Sequence, residues 1–272
     1  FDSYGPASRS RIMSLPRAGT WTALAQVEPN DADDLDIAWQ TSPGDFTPRV
    51  PYRFDVTLLG VAIDSPSSLT LAEGSAQAIA VSARNKFGSF TGGLAPMAIG
   101  AARTTQLQLK SHEQKIFDIQ VPEGSPLLTV ETMSNSQDRN DIDFYLFDCT
   151  GKRCLPVIAV LNQGNLTRLR ELNPKAGSWR LVIDASRVPT KGITIDLIDI
   201  VADLSLGNVS VADSTRVRKV GDAWTTTANV WLVKKPSSDR YPVALISVNA
   251  RQGGIEVPIG LAVTPIKTAE SK

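Results

Sequence analysis

Short apolar runs rich in Val, Ile, Leu and Thr recur along the chain, broken about every 8–12 residues by Gly, Pro, Asn, Asp or Ser, and no apolar stripe of helical spacing competes with them. Tyr52 to Ile63, Gln77 to Ala83, Lys115 to Val121, Leu127 to Thr132, Asp143 to Phe147, Trp179 to Ile183, Ile193 to Val201, Ala228 to Val233, Val243 to Asn249 and Glu256 to Val263 all read this way. Successive side chains of a strand point to opposite faces, so each run has an apolar face to bury, and many short runs bury theirs by stacking sheets. The expected fold is all-β, a tandem series of β-sandwich modules of jelly-roll and immunoglobulin-like kind. The 17 prolines and 19 glycines supply the turns, and 272 residues suffice for more than one core.

Charge narrows the functional classes. The 28 Lys plus Arg balance 28 Asp plus Glu, so a phosphate backbone gains little from the summed field, and no nucleic-acid partner is expected. No apolar run approaches the ~18 residues of a membrane helix, so no membrane span is expected. The single histidine, His112, sits in the polar run Lys110-Ser111-His112-Glu113-Gln114 and reads as a solvated loop residue ahead of a strand. Chemistry that needs an imidazole base therefore has one poor candidate.

Cys149 and Cys154 flank Thr150-Gly151-Lys152-Arg153 between two apolar runs, the pattern of a hairpin tip. Two cysteines across so short a turn can meet disulfide geometry, and such a bond persists in an oxidising compartment. A secreted, extracellular protein is the expectation.

The chain also repeats itself. Ile12 to Trp21 reads IMSLPRAGTW and Arg170 to Trp179 reads RELNPKAGSW, each closing on Ala-Gly-(Thr or Ser)-Trp, where Gly permits a tight turn and Trp opens a strand that can cap a core. The first copy has little chain before it, and Phe1 opens on neither Met nor a leader, so a fragment of a longer exported protein is expected. Four segments follow: 1–64 as the end of a truncated sandwich, 65–104 as immunoglobulin-like strands, 105–203 as a full jelly roll, and 204–272 as an immunoglobulin- or fibronectin-like module.

Within Gln114 to Ala185 the order KIFDIQVPEGSPLLTVETMS, NDIDFYLFD and AGSWRLVIDA resembles the bacterial pre-peptidase C-terminal domain, the small jelly-roll-like sandwich appended to secreted proteases, many of them subtilisin-like. The matching elements cover about a quarter of the chain. The flanks Ser67 to Ala102 and Leu206 to Ile266 resemble the immunoglobulin- or fibronectin-type strands behind subtilisin-like catalytic domains. The resemblance implies a non-catalytic accessory region whose partners are an upstream catalytic domain of the same polypeptide and a protein substrate or cell-surface polymer. The chain has no Gly-Thr-Ser-Met-like serine motif of its own, so no catalytic residue is expected. The competing expectation is a carbohydrate-binding or adhesin-type sandwich unconnected with proteolysis. Against it stand an aromatic content of 6% and no strand read as carrying aromatics at alternate positions. Trp179, Trp224 and Trp231 are expected in cores, whereas Trp39, beside an acidic loop, is expected to be partly open and to contact a partner.

Two loops are rich in oxygen donors: one holds Asp31, Asp33, Asp34 and Asp36, the other Asp138, Asn140, Asp141 and Asp143. Calcium takes ~6–8 hard oxygens in flexible geometry and is the cation either loop suits, although neither has EF-hand spacing. Solvated turns with local Asx hydrogen bonds account for the same composition. In the second loop Arg139 would compete with a cation.

Overall fold

The computed structural model of the chain describes residues 60–134, 141–162, 166–252 and 255–269. All regular structure there is β: β1 (Gly60–Asp64), β2 (Leu69–Leu71), β3 (Ser75–Phe87), β4 (Phe90–Leu109), β5 (Glu113–Val121), β6 (Leu127–Ser134), β7 (Asp141–Asp148), β8 (Leu155–Asn162), β9 (Leu166–Leu172), β10 (Gly177–Arg187), β11 (Ile193–Ala202), β12 (Gly207–Val211), β13 (Arg216–Arg218), β14 (Ala223–Leu232), β15 (Tyr241–Gln252) and β16 (Ile255–Thr268). The all-β sandwich architecture expected from the alternating runs is what the described residues adopt. No helix of the described residues is long and apolar enough to cross a membrane.

One long sheet, in the order β2-β16-β15-β4-β11-β6-β9 with β13 also on β4, serves two sandwiches. A four-stranded sheet, β1-β3-β14-β12, covers one part of it, and a second, β5-β10-β7-β8, covers another. The first core gathers Val81, Val230, Leu232, Ile246, Val248 and Ile259, and the second gathers Phe144, Leu146, Trp179, Leu181, Ile183 and Ile195. The flanking segments 65–104 and 204–272 thus build one sandwich together, joined by β1 (Gly60–Asp64) from the preceding segment, which pairs with β3 and adds Val61 to its core, and β5 to β11 form a second one between them in the chain.

The device that joins them is β4. At Met97 the register against β15 slips between the pairs Ile246↔Pro96 and Leu245↔Ala98. That extra residue keeps Phe90 and Leu94 before it, and Ile99 and Ala101 after it, in the same core. Ten residues further on, Leu107 and Leu109 enter the second core. The sequence boundary drawn at 104/105 falls inside this strand: Thr104, Thr105 and Gln106 remain paired with Ile198, Leu197 and Asp196 of β11. The shift to polar residues there marks where the strand leaves one core, not where it stops.

The opposite face of the long sheet is apolar along its middle, with Ala98, Ala102, Ile200, Ala202, Val243 and Leu245 forming a third buried cluster. A strand buried on both faces loses its alternation, which is why β15 reads as the nearly continuous Val-Ala-Leu-Ile of 243–246.

Between the two main cores the shared strands carry a buried ion cluster. Arg103 donates to Asp199 Oδ1 through Nε (3.0 Å) and a terminal nitrogen (2.8 Å), and Arg240 approaches Asp199 Oδ2 at 2.9 Å while donating to the Ala101 carbonyl at 2.9 Å. The Asp199 side chain is 3% exposed. Removing it takes the carboxylate from Arg240, 13% exposed, and leaves Arg103, 27% exposed, with only Asp239 at 3.7 Å, so Asp199→Ala is expected to cost about 1.5–3 kcal/mol. The measurement is urea unfolding followed by circular dichroism, and a loss under about 1 kcal/mol means the cluster is solvated.

Candidate functional site

The outer face of the β1-β3-β14-β12 sheet is the surface best prepared to meet a ligand. Along β14, Trp224, Ala228, Val230 and Leu232 point into the core, so the intervening Ala223, Thr225, Thr227, Asn229 and Trp231 point out and are exposed. Register places small side chains beside them: Ala76 opposite Trp231, Ala78 opposite Asn229, Ala80 opposite Thr227 and Ser82 opposite Thr225. On the other side β12 sets Asn208 opposite Trp231 and Ser210 opposite Asn229. The result is a strip with alanines as its floor, amides and hydroxyls along it, and an exposed indole at one end.

Backbone geometry brings β12 this close to Trp231. Gly207 has φ 153°, and a Cβ there would run into the Trp231 carbonyl, so glycine is required for the approach. At the far end of the strip lies a shallow groove of about 490 Å³ lined by Asp64, Ser82, Arg84, Lys86, Ala223 and Thr225, in which the Ser82 and Thr225 hydroxyls share a hydrogen bond of 2.8 Å.

The three described tryptophans have different fates. Trp179 is 2% exposed and donates to the Lys175 carbonyl at 2.9 Å, which is the core-capping role the repeat implies. Trp224 is 8% exposed; its Nε1 donates to Asp213 at 3.0 Å, and the Arg218 guanidinium lies 4.0 Å from its ring centroid. Trp231, expected in a core, is instead 48% exposed. The sequence signal was present: Trp231 has the parity of Asn229 and Thr227, not that of Val230 and Leu232. The expected partner contact Trp39 lies outside the described residues.

Cys149 and Cys154 are disulfide-bonded at the turn between β7 and β8, as the spacing predicts. The turn is held from below by Asp148, whose Oδ1 accepts from the Thr150 amide (2.9 Å) and hydroxyl (2.6 Å) while Oδ2 meets Lys175 Nζ at 3.1 Å. Burial works to raise the Asp148 carboxyl, but the Thr150 bonds and the Lys175 ammonium outweigh it and hold it below the usual carboxylate range. Lys175 belongs to the second Pro-Lys-Ala-Gly-Ser-Trp copy, so the repeated turn also braces the disulfide tip. The first copy lies outside the described residues. His112 sits in an exposed turn with φ 63°, its amide bonded to the Ala185 carbonyl at 2.7 Å, which makes it a turn residue.

On the outer face of the second small sheet, β7 presents Asp143, Tyr145 and Phe147 at alternate positions, so one strand does carry aromatics two apart. Asp184 lies directly opposite Asp143, and the Tyr145 hydroxyl donates to Asp143 at 3.5 Å. Burial, then the charges of Asp143 and Asp184, raise the Tyr145 phenol. Of the calcium candidates, Asp31, Asp33, Asp34, Asp36, Asp138 and Asn140 lie outside the described residues, Asp141 opens β7, and Asp143 faces outward from it. Among the described residues no group of three or more His, Cys, Asp or Glu is placed to hold a metal.

No family model and no curated protein matches the chain. Among solved structures it is similar to the propeptide form of the Bacillus licheniformis lipase BlEst2, at 12% identity and a TM-score of 0.26, covering 61% of this chain and 40% of that one. It therefore spans about two fifths of that lipase's length. It is also similar to AvmM, which catalyses macrocyclization in alchivemycin A biosynthesis, at 10% identity and a TM-score of 0.21, covering 79% of this chain and 91% of that one. Likeness at this level carries no functional argument.

The contrast between tryptophans is measurable. Trp179→Ala should cost about 3–5 kcal/mol in urea unfolding, and Trp231→Ala, which removes no core contact, under about 1 kcal/mol. Equal losses would place Trp231 in a core. Asp148→Asn should cost on the order of 1–2 kcal/mol at neutral pH. Because the native Asp148 value is lowered, its contribution is present above the carboxylate range and lost as pH falls through that value. The gap between variant and parent should therefore close in acid, as thermal melts at a series of pH values will show.

Proposed function

We propose that the chain is a non-catalytic accessory region of an exported protein, of the kind found behind the catalytic domain of secreted subtilisin-like proteases, and that it holds that protein against a substrate or a surface. The observation that carries this reading is the exposure of Trp231 on an open sheet face in a molecule that buries its other two described tryptophans. An exposed indole adds no core stability, and large aromatics with one open face are typical anchors of binding surfaces. The disulfide at the β7–β8 turn supports an oxidising destination. The two-sandwich frame supports a passive role, because a strip built on strands is rigid and presents its side chains in fixed register.

The same tryptophan favours a second reading, a carbohydrate-binding or adhesin-type module with no protease attached. In either, the work is done by a surface.

The test is retention of the full chain on insoluble material, with crystalline polysaccharide in one arm and insoluble protein fibres in the other. Retention by one of them, lost in Trp231→Ala, is the expected result. Retention unchanged by that substitution, or no retention on either, overturns the surface-holding reading.

A further inference from the structure

We infer that the outer strip of the β1-β3-β14-β12 sheet is a binding site for a neutral polysaccharide, with one sugar ring stacked on Trp231 and the next ones lying over the alanine floor; this rests on the reading of that face as a holding surface.

Three observations select this class of ligand. First, the strip is uncharged. From Asn208 and Trp231 through Ser210, Asn229 and Ala78 to Thr227 and Ala80, the outward positions carry no ionisable side chain, although 21% of the whole sequence is charged. Ionisable groups stand at the two ends: Asp64, Arg84 and Lys86 at the groove, and at the Trp231 end Lys234, Lys235 and Glu73, whose carboxylate accepts from the Lys235 amide at 2.7 Å. A charged polymer finds no counter-charge along the strip, whereas a neutral one gives up no ionic hydration to lie on it.

Second, the polar groups are of the type that reads hydroxyls. Asn208, Asn229, Ser210 and Thr227 each offer both donor and acceptor capacity, and a sugar hydroxyl needs both. Outward side chains two apart on a strand are about 7 Å apart, and neighbouring strands about 4.8 Å, so amides and hydroxyls meet a flat chain of rings at several points.

Third, the apolar content is too small for a protein partner. Trp231 is the one large hydrophobe among these outward positions, and the rest of the floor is alanine. A specific protein interface needs a central cluster of buried apolar anchors with a polar rim, and this end of the face supplies one aromatic, Trp231, with Val233, 43% exposed, two residues beyond it. The apolar C–H face of a pyranose, with hydroxyls at its edge, matches a single indole flanked by the amides of Asn208 and Asn229.

The experiment is affinity gel electrophoresis of the full chain in gels containing hydroxyethyl cellulose or another neutral glucan or mannan, with alginate as the charged control. The expected result is retardation by a neutral polymer, none by alginate, and little change in that retardation between about 50 and 500 mM salt, since no ion pair forms. Trp231→Ala should weaken binding by about tenfold or more, the loss typical of a central aromatic anchor. Ala78→Arg, at an exposed position where a long side chain meets no core, should block the floor and weaken binding comparably while leaving the thermal melt unchanged. Failure of every neutral polymer to retard the chain overturns the inference, as does retardation by alginate alone that salt abolishes. If Trp231-dependent retention on insoluble protein fibres survives such a failure, the surface-holding reading stands and the polysaccharide assignment falls. If Trp231→Ala changes neither measurement, both fall.

Discussion

Backbone pairing along β4 is the constraint on which the rest of the molecule depends. A single twenty-residue strand, Phe90 to Leu109, gives its early side chains to one core and its last ones to another, so the two sandwiches cannot move as beads on a linker. The bulge at Met97 makes this possible, because without the extra residue the alternation would turn Ile99 and Ala101 toward the opposite face. Where the strand passes between cores it crosses the Arg103–Asp199–Arg240 cluster, which pairs the charged groups of a seam that neither core fills. The third cluster, on the other face, makes the long sheet apolar on both sides through its middle.

This frame decides what each small sheet can offer. A sheet whose inner face is committed to a core has its outer face set in register by the same hydrogen bonds. The strip around Trp231 therefore needs no loop to assemble it: β3, β14 and β12 align Ala76, Trp231 and Asn208 in one row. A loop site would be free to rearrange, but this one is as rigid as the Val230 and Leu232 packing beneath it. The second small sheet follows the same logic with different residues. There the outward row mixes Tyr145 and Phe147 with Asp143 and Asp184, and the Arg180–Asp118 pair lies nearby at 2.9 Å. One molecule thus presents an uncharged strip on one face and the opposed carboxylates Asp143 and Asp184 on the other, each backed by its own core.

The disulfide tip shows how a local motif acquires a tertiary partner. The Cys149–Cys154 bond closes a short turn and by itself gains little from loop entropy. Its anchoring comes from Asp148, which meets Lys175 from the repeated Pro-Lys-Ala-Gly-Ser-Trp turn, whose Trp179 is sunk in the second core. Gly177, at φ 126°, allows the chain to enter β10 at that corner.

The sequence by itself determined the all-β class, the disulfide and the core position of Trp179, because each depends on local signals: alternation, close spacing of two cysteines, and a turn followed by an aromatic. It did not determine which strands share a sheet. The polar stretch at Thr104 to Gln106 reads as a boundary in one dimension and proves to be the middle of β4, since backbone pairing with β11 is indifferent to side-chain polarity. Nor did it show that segments 65–104 and 204–272 close one core together, because the pairing of β3 with β14 is long-range in the chain. Trp231 is the instructive residue. Its parity along β14 was legible, but an apolar ring is ambiguous until a second sheet is known to cover one face of its strand and not the other. Tertiary structure decided that by stacking the long sheet against Val230 and Leu232 and leaving the opposite face open.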